Sequence, residues 1–305
     1  MSLVEYIRNY GAYAYHPTGQ KLVHVPPDKT SAFDEEPIQI EMQTVADYVA
    51  YTAAGEHDHL DFFRGLTLVP PFPYTAMHFD QTFIDPDSPE VQMRGRTVVF
   101  AKADRLADVP ESEAKTELLA AHSDIGWVIN FSVVVQADNK LPTLIPYTPC
   151  ALLDVDGQLL RIVGGYDVHM APSVRPELAE TWRLNALSEV GTVLQAFAFM
   201  HVRHSVVEEV KPTRAAVRKA ARKNKPLLRH HRLVVKPLED HMRRVREHAK
   251  TPAGRKALHM VRGHFATYTE DAPLLGKFVG TVWRAPHWRG DKDEGVVTKD
   301  YQLEV

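Results

Sequence analysis

The sequence lacks the residues and runs on which several protein classes depend. Cys150 is its one cysteine among 305 residues, which excludes a disulfide framework and any zinc site built from several thiolates. No apolar run approaches the roughly 20 residues of a membrane-spanning helix. Glu5 interrupts the N-terminal segment where a signal peptide would continue its apolar stretch. We therefore expect a protein of a reducing cytosol that has no membrane partner.

The glycine-rich loops that commonly hold nucleotides are also missing. Neither G-x-x-x-x-G-K-[ST] nor G-x-G-x-x-G occurs, and the nucleophile motif G-x-S-x-G is absent too. His57 and His59 flank Asp58 in a polar turn, without the H-E-x-x-H pattern of a zinc helix. We expect no cofactor and no metal site.

What the sequence does contain is an ordinary globular composition, with 44% hydrophobic and 25% charged residues. Near-continuous β-branched and aromatic runs at Thr97–Ala101 and Trp127–Gln136 predict strands buried on both faces. Asp156-Gly157 between two apolar runs predicts a tight hairpin. A long helix is predicted from Pro176 to about His204. The fold class is therefore predicted as α+β, a mixed sheet with packed helices plus a smaller basic module that ends in antiparallel strands.

Other segments give weaker patterns. Residues 16–40 are predicted to be loop, with one strand at Lys21–Val25. Pro70–Tyr74 is predicted to be a rigid extended connector, because proline lacks an amide donor and fixes φ. The acids of His78–Asp80 and Asp85–Asp87 are typical of turns.

Charge is distributed unevenly along the chain. The formal net charge is −3, yet residues 201–262 carry 18 Lys and Arg against 5 Asp and Glu, while residues 1–200 carry 13 against 27. So dense a basic segment creates a local positive potential that attracts polyanions. Two interpretations stay open: the segment contacts nucleic acid, or the acidic N-terminal part neutralises it.

This contrast divides the chain into two predicted domains, residues 1–204 and 205–305. The second is predicted to contain a helix, a strand, a basic helix and three antiparallel strands, at Arg214–Lys225, Arg232–Leu238, Glu239–Lys250, Leu258–Tyr268, Lys277–Ala285 and Val296–Val305. In the first of these helices the spacing of four, four and three residues keeps four basic residues on one face, namely Arg214, Arg218, Arg222 and Lys225. They are the predicted nucleic-acid contacts.

The densest candidate site for chemistry is C-terminal. Arg262 and His264 share one strand parity, and an antiparallel return would bring His287 and Arg289 to the same end of the sheet. One imidazole can take a proton from a nucleophile while the other gives one to a leaving oxygen, and arginine stabilises the developing charge. The same residues fit passive phosphate binding through Arg262 and Arg289, or a structural role at strand ends. All three interpretations stay open.

The C-terminal part also contains a series of spaced blocks. They read Val206-Val-Glu208, Lys223-Asn-Lys225-Pro226-Leu, His230-His-Arg-Leu-Val-Val-Lys236, His259-x-x-Arg262-Gly-His264, Pro286-His-Trp-Arg-Gly290 and Gly295-Val-Val-x-Lys299-Asp-Tyr301. This order resembles an uncharacterised family of tailed phages and bacterial mobile elements. The resemblance implies a viral or mobile-element protein acting in the host cytosol, and it implies no particular reaction.

From these patterns we expect a protein that interacts with RNA or DNA through its basic module. One alternative is a factor that binds a host or phage protein to block defence or redirect transcription. A second is a ribonuclease that works without metal. Whether the protein is an enzyme is left open by the sequence.

Overall fold

The structure is a computed structural model that describes most of the chain. The described residues are 3–15, 22–26, 37–52, 63, 65–85, 88–121, 123–138, 140–166, 176–202, 205–222, 230–236, 238–241, 243, 259–261, 264–273, 279–284 and 287–289.

The helices bounded within those residues follow the chain in this order: α1 Leu3–Tyr10, α2 Gln43–Thr52, α3 Glu113–Ala121, α4 Pro176–Met200 and α5 Arg214–Arg222. The strands are β1 Ala12–Tyr15, β2 Leu22–Val25, β3 Ile38–Glu41, β4 Tyr74–Asp85, β5 Ser88–Arg105, β6 Ile125–Ala137, β7 Thr143–Leu144, β8 Tyr147–Asp154, β9 Leu159–Tyr166, β10 Ser205–Glu209, β11 His230–Val235, β12 His259–Val261, β13 His264–Tyr268, β14 Gly280–Arg284 and β15 His287–Arg289. None of the described helices is long and apolar enough to cross a membrane.

Eleven strands form one mixed sheet in the order β10-β11-β3-β4-β5-β6-β7-β1-β2, with β8 and β9 added beside β6. The pairs β3–β4, β3–β11 and β1–β7 are parallel, while β4, β5 and β6 form long antiparallel ladders. Parallel and antiparallel pairs therefore share one sheet with helices packed on it, which confirms the predicted α+β class.

The centre of the sheet follows directly from the sequence. The β-branched and aromatic runs lie in β5 and β6, where Val99, Phe131 and Val133 are fully buried. The Asp-Gly hairpin joins β8 to β9, and Gly157 has the positive φ of 80° that this turn requires. The predicted strands at the centre of the sheet and the hairpin are confirmed.

Two segments predicted to be loop are strands instead. Residues 38–41 form β3, and the histidine and acids near residue 80 lie inside β4, which pairs with β5 along most of its length. The prediction failed because polar side chains at alternate positions suit a strand whose one face is partly open. Pro70–Pro73 remains outside regular strand structure and leads into β4.

The two faces of the sheet are covered differently. On one face, α1 buries Val4 and Ile7 in a cluster with Ala76, Val98 and Phe100. On the opposite face, where the side chains of alternate parity lie, α2 and α4 pack against the sheet. Near β3 and β11, the face that carries α1 bears polar side chains.

The chain folds as two compact units, residues 1–200 with 206–234 and residues 201–205 with 235–305. This division differs from the predicted boundary after residue 204. The difference arises because β11 pairs with β3, so that β10 and β11 extend the sheet of the first unit, with α5 between them in the chain.

In the second unit, β12 pairs with β15 and β13 pairs with β14, and both pairs are antiparallel. The expected pairing of the segment near residues 258–268 with a returning strand is present. The third predicted strand, residues 296–305, lies outside the described residues.

Candidate functional site

The basic helix α5 projects three arginines into solvent. Arg214, Arg218 and Arg222 are all exposed, as are Ala215, Val217 and Ala221 between them. The helix starts after Thr213, whose carbonyl accepts the first helical hydrogen bond from Val217 at 3.0 Å. Lys225, the fourth predicted contact, lies outside the described residues.

No acidic residue occurs between Lys211 and Lys225, so the charge of this helix is unrelieved along the chain. In the described part of the molecule, no carboxylate forms an ion pair with Arg214, Arg218 or Arg222. An exposed row of guanidiniums one helical turn apart is the arrangement that contacts successive phosphates.

A second polar group, which we call the histidine–arginine cluster, consists of Glu41, His78, His230 and Arg232. The ladders place Glu41 of β3 beside His78 of β4 on one side and beside Arg232 of β11 on the other. His230 precedes Arg232 by two residues and so lies on the same face of β11. Three strands thus bring four chemically active side chains to one face of the sheet.

The contacts in this cluster extend from Arg232, its most exposed member, to His78. Nε and Nη2 of Arg232 both donate to Oε2 of Glu41, at 3.1 and 3.0 Å. The same carboxylate oxygen lies 3.9 Å from Nε2 of His230, whose ring centroid is 4.9 Å from that of His78. Nε2 of His78 is enclosed, and among the described residues it has no hydrogen-bond partner.

Burial keeps both imidazoles neutral near neutral pH, because it penalises the charged form. Burial, together with the neighbouring His230, lowers the pKa of His78 from 6.5 to about 4, although Glu41 opposes the change. Burial also lowers the pKa of His230, against the opposing effect of Glu41. At neutral pH the cluster therefore carries one guanidinium and one carboxylate.

The cluster does not have the geometry of a metal centre. In the ranges that the structure describes, no three His, Cys, Asp or Glu side chains converge in a way that could hold an ion. Glu41, the one carboxylate of the cluster, is already engaged by Arg232.

The C-terminal residues that the sequence singled out are only partly described. Arg262 lies outside the described residues. The backbone register sets Arg289 opposite His259, His287 opposite Val261, and His264 opposite Arg284. The side chains of His264, His287 and Arg289 lie outside the described part of the molecule, so their convergence on one phosphate stays a prediction.

Aromatic packing holds the described part of this hairpin. Trp283 is buried and its ring centroid lies 4.7 Å from that of Phe265. Arg284 donates from Nη2 to the hydroxyl of Tyr268 at 2.5 Å and lies over its ring. Trp283 is therefore a core residue of the hairpin.

Cys150 is a packing residue. It lies against the buried cluster of Leu106, Ile125 and Leu152, and burial raises the pKa of its thiol to about 11. A thiol so hard to ionise is a poor nucleophile.

Sequence reasoning missed the histidine–arginine cluster, because Glu41 and His78 lie on β3 and β4, two strands that were not predicted from the sequence. The available signal was the alternation in Ile38-Gln-Ile-Glu41, which places Ile40 inward and Gln39 and Glu41 on the other face. Comparison of the chain with family models, with curated proteins and with solved structures found no match.

Proposed function

We propose that this protein binds nucleic acid through the exposed basic face of α5. The observation that supports the proposal is the exposure of Arg214, Arg218 and Arg222 in a segment without carboxylates. Contacts of this kind go to phosphate groups, so the expected binding does not depend on base sequence.

The competing interpretation is that acidic residues of the chain neutralise the basic segment. Neutralisation by contact would bury these guanidiniums against carboxylates. Glu41 does pair with Arg232 of this segment, but Arg214, Arg218 and Arg222 are exposed, and the described residues provide no ion-pair partner for them. The open face favours an external polyanion.

The resemblance of the C-terminal blocks supports a setting for this activity, the host cytosol during growth of a phage or mobile element. The other candidate roles are outcomes of the same experiment. A labelled RNA that is cut during the binding assay would support the ribonuclease alternative. Absence of binding to either nucleic acid would favour a protein-interaction factor.

The test is a salt titration of binding to a generic DNA duplex and a generic single-stranded RNA. Removal of a side chain that binds one phosphate should reduce the slope of log K against log salt by about 0.9 on duplex DNA and about 0.7 on single strands. We expect the variant R214A/R218A/R222A to lose roughly 2 to 3 units of slope on duplex DNA.

A matched control removes the same charge elsewhere in the unit. Arg94, Arg96 and Arg161 are also exposed and lie on strands, so R94A/R96A/R161A should keep nearly the full slope. Equal losses in the two triple variants would mean that only net charge matters and would contradict a defined site on α5.

A further inference from the structure

His230 and Arg232 lie on the same face of β11, and both reach solvent. Their side chains are 31% and 55% exposed, respectively. In the histidine–arginine cluster an external ligand can approach these two residues and also Glu41, whose side chain is 29% exposed, whereas Nε2 of His78 is enclosed. A ring nitrogen and a guanidinium on one face can contact the oxygens of a single phosphate.

The guanidinium of Arg232 is held in place with donors to spare. Its Nε and Nη2 both bond to one oxygen of Glu41, which fixes the plane of the group. An arginine has five N–H donors, so those on Nη1 and the second one on Nη2 are not used by these bonds. A phosphate can therefore bind at the outer edge of the guanidinium while Glu41 keeps the inner edge.

Backbone pairing places this group next to the basic helix. The amide of Val210 donates to the carbonyl of His230 at 2.8 Å, and Arg214 follows four residues later. Four residues span at most about 14 Å. A nucleic-acid strand that is bound along α5 can therefore extend to β11.

The charged and titratable groups around His230 determine how it responds to an anion. Those that act on it are Glu41 on β3, His78 on β4, and His231 and Arg232 on β11 itself. The neighbouring strand β10 carries the exposed carboxylates of Glu208 and Glu209, which do not favour an anion. Arg232 and Glu41 balance each other. Because burial lowers the pKa of His230, the cluster has no net positive charge at neutral pH and gains one when His230 is protonated.

We propose that His230 and Arg232 form a phosphate-contact site that continues the basic face of α5 and binds a phosphodiester with uptake of one proton by His230. The proposal rests on nucleic-acid binding by α5 and adds a pH-dependent step to it. The negative phosphate favours the imidazolium, so the affinity rises as the pH falls.

The probe is a short, labelled single-stranded RNA, whose affinity is measured at fixed ionic strength between pH 5.5 and pH 8. For the intact protein we expect log K to rise as pH falls, by at most about tenfold per pH unit, which is the limit for one proton. H230Q should lose most of this dependence. H231Q removes the neighbouring imidazole, which packs near Phe72 on the opposite side of the strand, and should keep it.

Arg232 provides a second variant in case His230 is needed for folding. R232A should weaken binding at every pH, by the loss of a permanent charge. It should keep a pH dependence but move it to higher pH, because Arg232 lowers the pKa of His230 and holds Glu41. An intact protein without pH dependence, or an H230Q variant that retains it in full, would overturn the proposal.

Failure of this site and failure of the proposed function give different results. If only the α5 proposal holds, binding stays salt-dependent and sensitive to R214A/R218A/R222A, while His230 has no effect on the pH dependence. If nucleic-acid binding itself is wrong, no variant has any binding to lose at any pH.

Discussion

Strand β4 presents two titratable environments on its opposite faces, only three residues apart. On one face His78 lies among the charged members of the histidine–arginine cluster. On the other, Gln81 donates through Nε2 to Oε1 of Glu189 at 2.6 Å and to the hydroxyl of Thr97. Glu189 belongs to α4 and is almost completely buried where that helix faces the sheet.

Burial shifts these two groups in opposite directions for the same reason. It lowers the pKa of His78 to about 4 and raises the pKa of Glu189 to about 7, the latter against the opposing hydrogen bond from Gln81. In both cases the neutral form is favoured, because a low dielectric penalises charge. The comparison shows that the sheet disfavours charge on both faces, and that the face with α4 provides no ionic partner for Glu189 among the described residues.

The largest expected effect on stability belongs to Glu189. Its pKa is higher in the folded than in the unfolded protein, so its contribution is present below about pH 4.5 and is lost as the pH rises to about 7. At pH 8, E189Q should raise the free energy of unfolding by about 3 kcal/mol, since one pKa unit corresponds to about 1.4 kcal/mol. The amide oxygen of glutamine can still accept the bond from Gln81.

Denaturant unfolding at pH 5 and pH 8 measures this effect. The gain from E189Q should be clear at pH 8 and small at pH 5. The exposed Glu180 on the same helix is the control: E180Q removes an equal charge together with a surface ion pair to Arg183, and it should not stabilise the protein at pH 8. An E189Q variant that is no more stable at pH 8 than the parent would show that the carboxylate is well solvated.

His78 should show the opposite pH dependence with a slightly smaller effect. Its folded pKa is depressed, so its contribution is present above pH 6.5 and is lost as the pH falls to about 4. Below pH 4 this loss is at most about 3 kcal/mol. H78Q should reduce the acid sensitivity of unfolding, whereas H24Q, at a more exposed histidine, should not. If acid unfolding is the same in H78Q and the parent, His78 is not the sensitive group.

The difference between buried and partly exposed faces also explains which parts of the fold could be predicted from the sequence. Strands β5 and β6 were predictable because burial on both faces leaves a continuous run of apolar residues, as at Val133 and Val134 of β6, which are both fully buried. Helix α4 was predictable because its apolar residues recur at helical spacing and then surround the helix near Ala196–Phe199, where the side chains are buried. These patterns are local.

The histidine–arginine cluster depends on pairings that are not local. Glu41 and Arg232 are 191 positions apart and meet only because β11 pairs in parallel with β3. The sequence analysis instead favoured the residues near His264 and His287 as a site, because histidines and arginines lie close together in the sequence there. The placement of Arg214, Arg218 and Arg222 on one face was predictable from helical spacing, and their exposure was predictable because the segment is too polar to be core.

The smallest expected effect on stability belongs to the ion pair between Arg232 and Glu41, at the solvent-exposed edge of the histidine–arginine cluster. Arg232 is more than half exposed, and an exposed pair with a carboxylate contributes typically less than about 1 kcal/mol. R232A should therefore change the free energy of unfolding by less than about 1 kcal/mol, and high salt should reduce the difference further. Thermal unfolding of R232A and the parent at low and high salt measures this. A loss of several kcal/mol would mean that Glu41 depends on Arg232 to remain buried as an anion, and that the site is built for stability more than for binding.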